Sequence, residues 1–370
     1  MTSQHPPEPT AFLQRYGTRV PSLYTSLKQE VLGLRRSVAM SVRPDVLCIR
    51  LSGEDAFDIL DAICPAELTI RDSQILHTLL LRPDGKPLAE LYVCNDDEEF
   101  ILLSEGLSVQ ELHAYFQEHC PPELTLEWTD LSTTYRMLSI NGPFSWELLS
   151  EYDSPYIVGL PYLSFYKLTK ERYCFRVGKT GEFGYRLLIP HELFEETWQT
   201  LFQQGQAFDV EVVGVQALEH CAFENFFFNI HHPAEAALSP IELQLQWRLS
   251  YHKSAPGLEA VIQQKQQGEL SRVTGVLSEH AFAQGDDVWL EDEKIGSIVR
   301  VEQSITLGKY IGLALLNTEW AYSGIEDYQV GAADGKQMLR TLSLPFVFNR
   351  SLLVNPLDDR YAQWRNRKMT

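Results

Sequence analysis

The sequence predicts an α+β fold that ends in a small C-terminal β-barrel, and three observations predict it. A strand, a glycine turn and an amphipathic helix occur in succession twice, roughly ninety residues apart. Short strands alternate with helices through the region around these two units. From about residue 268 the texture changes to short apolar runs divided by Gly-, Asp- and Glu-rich turns, the spacing of a small all-β domain.

Taken in chain order, residues 1–37 read as a Pro-bearing arm with one helix, "SLKQEVLGLRR". The first unit is "VLCIRLSGEDAFDILDAIC": an extended apolar segment reaches Gly53, then Ala56, Ile59, Leu60 and Ile63 mark one helix face. Three strands follow in "LHTLLLRPDGKPLAELYVCNDDEEFILLSEG", turned at Pro83-Asp84-Gly85 and Asn95-Asp96-Asp97. A helix opens at Ser108, whose capping box closes on Glu111. The second unit is "MLSINGPFSWELLSEY", with Gly142 at the turn and Trp146, Leu148 and Leu149 on the helix. "HELFEETWQTLFQQG" is a helix with Leu193, Phe194, Trp198, Leu201 and Phe202 inward and a glycine at its end. The two units fill residues 38–250, a connector with one polar helix spans 251–267, the barrel 268–348 and a tail 349–370.

Composition narrows the function. The chain has 370 residues, 44% hydrophobic and 22% charged, which argues for packed domains over disorder. Fifty acidic against 31 basic residues leave a net charge of -19, with no cationic excess to neutralise a phosphate backbone, so a nucleic-acid partner is not expected. No charged flank with an apolar run opens the chain and no run of membrane-spanning length occurs, so a cytoplasmic protein without membrane attachment is expected. Its six cysteines and ten histidines are scattered, apart from His231-His232, and predict neither a disulfide framework nor a metal site.

The stretch "RVGKTGEFGYRLLIP", Arg176 to Pro190, carries the densest glycine content. Its Gly-Lys-Thr invites comparison with a phosphate-binding loop. That motif needs an earlier glycine where Tyr173 stands, and it must open a helix, whereas "YRLLI" is a strand sequence. Two readings remain. The glycines supply positive φ at a hairpin turn, or they let the backbone and the carboxylate of Glu182 approach a flat polar heterocycle with paired N–H donors.

Arg-x-Gly-x-Thr-Gly-Glu-x-Gly-Tyr, read here at Arg176, Gly178, Thr180, Gly181, Glu182, Gly184 and Tyr185, resembles the signature of the glycine cleavage T-protein (aminomethyltransferase) family. "LSGEDAFDIL" and "LSINGPFSWELL" are similar to that family's paired units, "GVQALEHCAFE" to its Gly-Leu-x-Ala helix, "SPIELQLQW" to its Thr-Pro-Leu-Glu segment and "KIGSIVRVEQSITLGKYIGLALL" to its barrel. The likeness runs from about 38 to 348 in the family's order. It implies a folate-binding fold of two pseudo-repeated α/β units and a C-terminal barrel, with tetrahydrofolate as cofactor in a central funnel. Carried over, Glu182 hydrogen-bonds the pterin's N–H groups, Tyr185, Gly181 and Gly184 shape the slot, and Arg176 and Ser104 complete the cofactor-binding set. The implied activity moves a one-carbon group, aminomethyl or methyl, between folate and a small-molecule donor or a carrier protein presenting it. An oxidative partner would be a separate oxidoreductase chain.

The sequence also departs from the family. Where the T-protein carries Gly-Gly-Ile-x-Asp-Asp, this chain reads "GKPLAEL", with Ala89 and Glu90 at the two Asp positions. Successive strand residues face opposite sides, so an acid survives in the funnel only if Glu90 is the inward residue. Glu90 as base or electrostatic anchor, and His77, where the family commonly has Tyr, are the catalytic candidates; an ordinary solvated acid is the other reading of Glu90. Arginines expected at Leu218 and Ala222 are missing, while Glu224 remains and reads as a paired structural acid. The main expectation is a tetrahydrofolate-dependent one-carbon transferase; the alternative is a noncatalytic folate-binding accessory or regulatory protein.

Overall fold

A computed structural model describes residues 5–97, 99–168, 171–268, 271–332 and 335–365. The chain opens with a hairpin, β1 (Ala11–Arg15) and β2 (Thr18–Leu23), then α1 (Leu27–Arg36). The arm expected at 1–37 therefore contains a hairpin that the sequence reading missed. Ser26 caps α1 as its side chain accepts from the Gln29 amide. After β3 (Ala39–Val42) the first unit runs β4 (Leu47–Ser52), α2 (Ala56–Ile63), β5 (Ile75–Leu81), β6 (Pro87–Asp96), β7 (Glu99–Glu105), α3 (Val109–His119) and β8 (Glu127–Asp130). The second runs β9 (Tyr135–Asn141), α4 (Ser145–Tyr152), β10 (Phe165–Lys167), β11 (Tyr173–Phe175), β12 (Gly184–Pro190), α5 (His191–Gly205) and β13 (Glu211–Val212).

The sheet orders are β5-β6-β7-β4-β8 and β10-β11-β12-β9-β3-β13. In both, the strand that opens the unit lies antiparallel to the third strand of the following meander, β4 to β7 and β9 to β12. The repeat expected from two short sequence matches thus extends to whole sheets. Alternation along the strands explains how they stack. Ala89, Leu91 and Val93 face α2 and α3, whereas Tyr92 and Cys94 face the other sheet, meeting Met137, Phe175 and Leu188. The far side of the second sheet buries Leu138, Ile140, Tyr185 and Leu187 against α4 and α5. The layers run helix, sheet, sheet, helix. A fully buried phenylalanine such as Phe116 contributes roughly 1.5–3 kcal/mol to this arrangement.

Next come α6 (Val215–Glu224), α7 (Pro233–Ala236) and the connector helix α8 (Leu258–Gln267), which buries Leu258 and Val261. Strands β14 (Ser271–Ser278), β15 (Asp287–Leu290), β16 (Glu293–Gln303), β17 (Tyr310–Asn317), β18 (Tyr328–Val330) and β19 (Gln337–Leu342) close into a barrel, β14 pairing with both β17 and β19. The last two strands went unread in the sequence. Residues 366–370 of the expected tail lie outside the described residues. Among the described residues no helix is long and apolar enough to cross a membrane.

Candidate functional site

Where the two sheets meet α6, the apolar interior between them gives way to a polar cavity. Counting its open mouth it holds about 470 Å³ of empty space, of which about 30 Å³ admits the centre of a water-sized sphere. Strand alternation supplies one wall: Ser139, Asn141 and Arg186 point inward, while Tyr185 and Ile140 point to the helices behind. Val215, Leu218 and Ala222 from α6, with Phe228, form an apolar wall opposite. Two positions where the family pattern places arginine, Leu218 and Ala222, therefore face the cavity as hydrocarbon.

Charge enters from the strands instead. Glu105, at the end of β7, accepts from Arg43 Nη2 at 3.1 Å and Arg186 Nη2 at 2.7 Å, with Lys179 Nζ at 3.7 Å. Burial pushes its carboxyl up, but Lys179, Arg43 and Arg186 outweigh that and hold it well below the usual carboxylate range. Asp45 takes Arg43 Nε at 2.8 Å and Arg15 Nη1 at 2.8 Å, which ties the N-terminal hairpin to the cavity mouth. At the hairpin tip, Tyr16 has φ 47 and its ring lies 5.8 Å from that of His231. Ligand atoms of Asp45, Glu105 and His231 lie within 4.8 Å of one another. Arg43 already bridges the two acids, so the group is a neutralised ion-pair cluster and not a cradle for a divalent ion.

Beside this cluster lies Glu90. It is the inward residue of the Ala89-Glu90 pair, and Ala89 is buried against α2 and α3. Glu90 is 0% exposed and accepts from Lys179 Nζ at 2.6 Å and Arg248 Nη1 at 2.9 Å; His77 Nε2 lies at 3.1 Å. The solvated-acid reading is thereby overturned. Burial alone would raise its pKa, yet Lys179, His77 and Arg248 together keep the carboxyl well below its ordinary value. His77 stacks on Tyr92, with ring centroids 4.0 Å apart, and burial followed by Arg248 lowers it to about 4. It is therefore neutral at pH 7, and Nε2–H donates to Glu90. Ser104, on the helix-facing side of β7, donates from Oγ to the Glu90 carbonyl at 3.2 Å.

The glycine-rich loop sends its charges in opposite directions. Lys179 reaches the cavity and bridges Glu90 to Glu105. Glu182 turns the other way: its carboxylate accepts from the amides of Arg350 at 3.1 Å and Ser351 at 2.7 Å and from Ser351 Oγ at 2.6 Å, with Arg35 Nη1 at 3.6 Å. Gly181 has φ 78, and a Cβ there would fall 2.2 Å from Asn225 Oδ1. Gly184 packs against Gly178, a Cβ meeting the Gly178 Cα at 2.9 Å. Arg176 lies over the rings of Phe183 and Tyr185 at 5.2 and 5.8 Å and donates to the Leu160 carbonyl. The structure thus brings Glu90 and His77 together beside the cavity, while Ser104 faces the helices and touches only the Glu90 carbonyl, and Glu182, Tyr185, Arg176, Gly181 and Gly184 do not line the cavity.

Sequence reasoning passed over Arg43, Glu105, Asn141, Glu219 and His231. Lys179 and Arg186, which sit in the motif itself, are both turned inward. The period-2 register from Tyr185 could have placed Arg186, since one of two adjacent strand residues must face the cavity. Arg43, reaching in just past the end of β3, carries no such signal. Three cavity-lining or adjacent polar atoms are buried and lack a hydrogen-bond partner: Arg186 Nη1, Thr180 Oγ1 and His231 Nε2. Each is free to form a hydrogen bond with a ligand or a water.

The fold and the cavity define a two-unit α+β small-molecule-binding protein with a barrel packed on its core. The chain matches the GCVT N-terminal domain family over residues 1–253 and the glycine cleavage T-protein C-terminal barrel domain over 272–347. It belongs to the glycine cleavage T-protein family, as the resemblance implied. Among curated relatives it is 25% identical over 336 residues to the aminomethyltransferase of Pseudothermotoga lettingae and 26% identical over 341 residues to that of Exiguobacterium sibiricum. Each alignment covers 89% of this chain and 92% of the relative. The fold is also that of the glycine cleavage system aminomethyltransferase T from Bartonella henselae, with a TM-score of 0.77 at 19% identity over 92% of this chain and 95% of that one.

The cavity residues fit a reduced pterin. Leu218, Val215 and Phe228 offer apolar surface to a flat ring, Asn141 offers both a donor and an acceptor, Glu219 retains 25% side-chain exposure, and Arg186 Nη1 has no partner.

Proposed function

We propose that the chain is a tetrahydrofolate-dependent one-carbon transferase of the aminomethyltransferase type, with the cavity between the two sheets and α6 as its folate site. The family match across both domains carries this reading. The bound folate would supply a ring nitrogen able to hold the one-carbon unit. Val215, Leu218, Ala222 and Phe228 would pack on the ring system and exclude water. Asn141 and Glu219 would orient its polar edge.

Glu90 and His77 are the candidate groups for proton handling, and their surroundings define what they can do. Glu90 is ionised and saturated by three partners, so its part is to fix Lys179 against the cavity wall. The Lys179 ammonium is the hydrogen-bond donor that this network presents to the reacting region. Catalysis by this chain is chiefly alignment of donor carbon and acceptor nitrogen, for which held geometry contributes the larger part of the rate. The donor would be a small molecule or a carrier protein presenting it, and an oxidative step would require another chain.

Two measurements test the reading. Purified protein is titrated calorimetrically with tetrahydrofolate, and it is assayed for ammonia release from an aminomethylated lipoyl carrier. Saturable binding near one equivalent with turnover is expected. Binding without turnover of any amine donor would move the protein to the noncatalytic alternative, and absence of binding would contradict both.

A further inference from the structure

Resting on the folate-site reading, we propose that the cavity selects its ligand by an oxygen acceptor, received by the free Nη1 of Arg186, which makes Arg186 its specificity-determining residue. Arg186 is 3% exposed and lines the cavity. Its Nη2 is spent on Glu105 at 2.7 Å, while Nη1 is buried with no partner. The guanidinium is buried, bonded to Glu105 and 5.5 Å from the centre of the Tyr92 ring, contacts that orient the fork.

The acids around it leave no competing claim. Glu105 is saturated by Arg43 and Arg186, Glu90 by Lys179, His77 and Arg248, and Asp45 by Arg43 and Arg15. Thr180 Oγ1, in a residue 2% exposed and also on the cavity wall, is a second polar atom without a partner. The α6 wall is hydrocarbon at Leu218 and Ala222. A ligand entering here meets an unsatisfied cationic N–H, and the group that answers it is a carbonyl or carboxylate oxygen. Such an oxygen could come from the ring carbonyl of a pterin or from a carboxylate of the folate's glutamate tail.

The test uses the full chain and the variants Arg186→Lys and Arg186→Gln. The lysine keeps a cation beside Glu105 but cannot supply the second arm of the fork, so it serves if the glutamine variant does not fold. Tetrahydrofolate and its 4-amino analogue, which replaces the ring carbonyl by a donor, are titrated calorimetrically. Both variants are expected to bind tetrahydrofolate about 10- to 100-fold more weakly, the effect of losing a charge-assisted hydrogen bond. Loss of the wild-type preference for the 4-oxo compound would identify the ring carbonyl. Equal weakening of both compounds would identify a carboxylate. Unchanged tetrahydrofolate affinity in a folded Arg186→Lys protein would overturn the inference. If wild type binds no tetrahydrofolate, the folate reading falls separately, and thermal-shift measurements with glycine and acetate decide on Arg186. Stabilisation lost in Arg186→Lys would support it, and none in wild type would overturn it.

Discussion

Glu182 shows how far a residue's part depends on its surroundings. Its side chain is 1% exposed and gathers two backbone amides and a hydroxyl from 350–351, with Arg35 nearby. Glu182→Ala would strand those donors, and the loss is expected to be roughly 3 kcal/mol of unfolding free energy in chemical denaturation. A pterin-anchoring part would instead appear as lost folate affinity at unchanged stability. At this scale the sequence was legible where strand parity applied: Glu90 had to face either the other sheet or the helices, and it lies on the face turned to the other sheet. It was not legible for Glu105, Arg43 and Arg186, because their positions depend on three strands from two units converging. Glu90's neutralisation was equally hidden, since Lys179 and Arg248 come from distant segments.

At the scale of elements, α6 is clamped by charge to the barrel. Glu224 accepts from Arg35 Nη2 at 2.7 Å, Ser304 Oγ at 2.6 Å and Thr306 Oγ1 at 2.8 Å, as a paired structural acid should. One turn earlier, His220 lies 2.8 Å from Glu302 and 3.3 Å from Glu224. Burial opposes its charge, but hydrogen bonds to the two carboxylates outweigh burial and raise it to about 9. The Ile305 amide, 3.1 Å from Nε2, favours the neutral ring; two carboxylates prevail over one amide. Between the ordinary histidine value and about 9 the folded state binds the extra proton, so its stabilisation is complete below that window and fades as pH rises through it. Melting temperature is expected to drop between pH 7 and 9.5, with a shallower drop in His220→Gln; equal slopes would contradict the assignment. Helices α2, α3, α4 and α5 were legible through their apolar spacing, and α3 also through its capping box. The β1–β2 hairpin and β18–β19 were not, because β2 carries a proline, which argues against a strand, and β18 is only three residues long.

Across the whole molecule, the two units, the connector and the barrel share buried surface. One apolar cluster joins Leu79 and Leu81 of the first sheet, Phe223 of α6, Leu258 and Val261 of the connector helix, and Val273, Leu277, Ile311 and Leu313 of the barrel. Arg300 of β16 reaches Glu235 of α7 at 2.6 Å. The boundaries read from sequence therefore mark changes of texture, and unfolding is expected as one cooperative calorimetric transition; two separated transitions would contradict it. At this scale the cavity walled by α6 is the proposed folate site. Calorimetric titration of tetrahydrofolate into wild type and Leu218→Trp is the sharpest test, because Leu218 lines the cavity, takes no part in the ion pairs and is replaced by a side chain that fills the space. Saturable one-to-one binding by wild type, weakened at least about tenfold in the folded variant, is the predicted result. Absence of saturable binding in wild type, or unchanged affinity in Leu218→Trp, would contradict it.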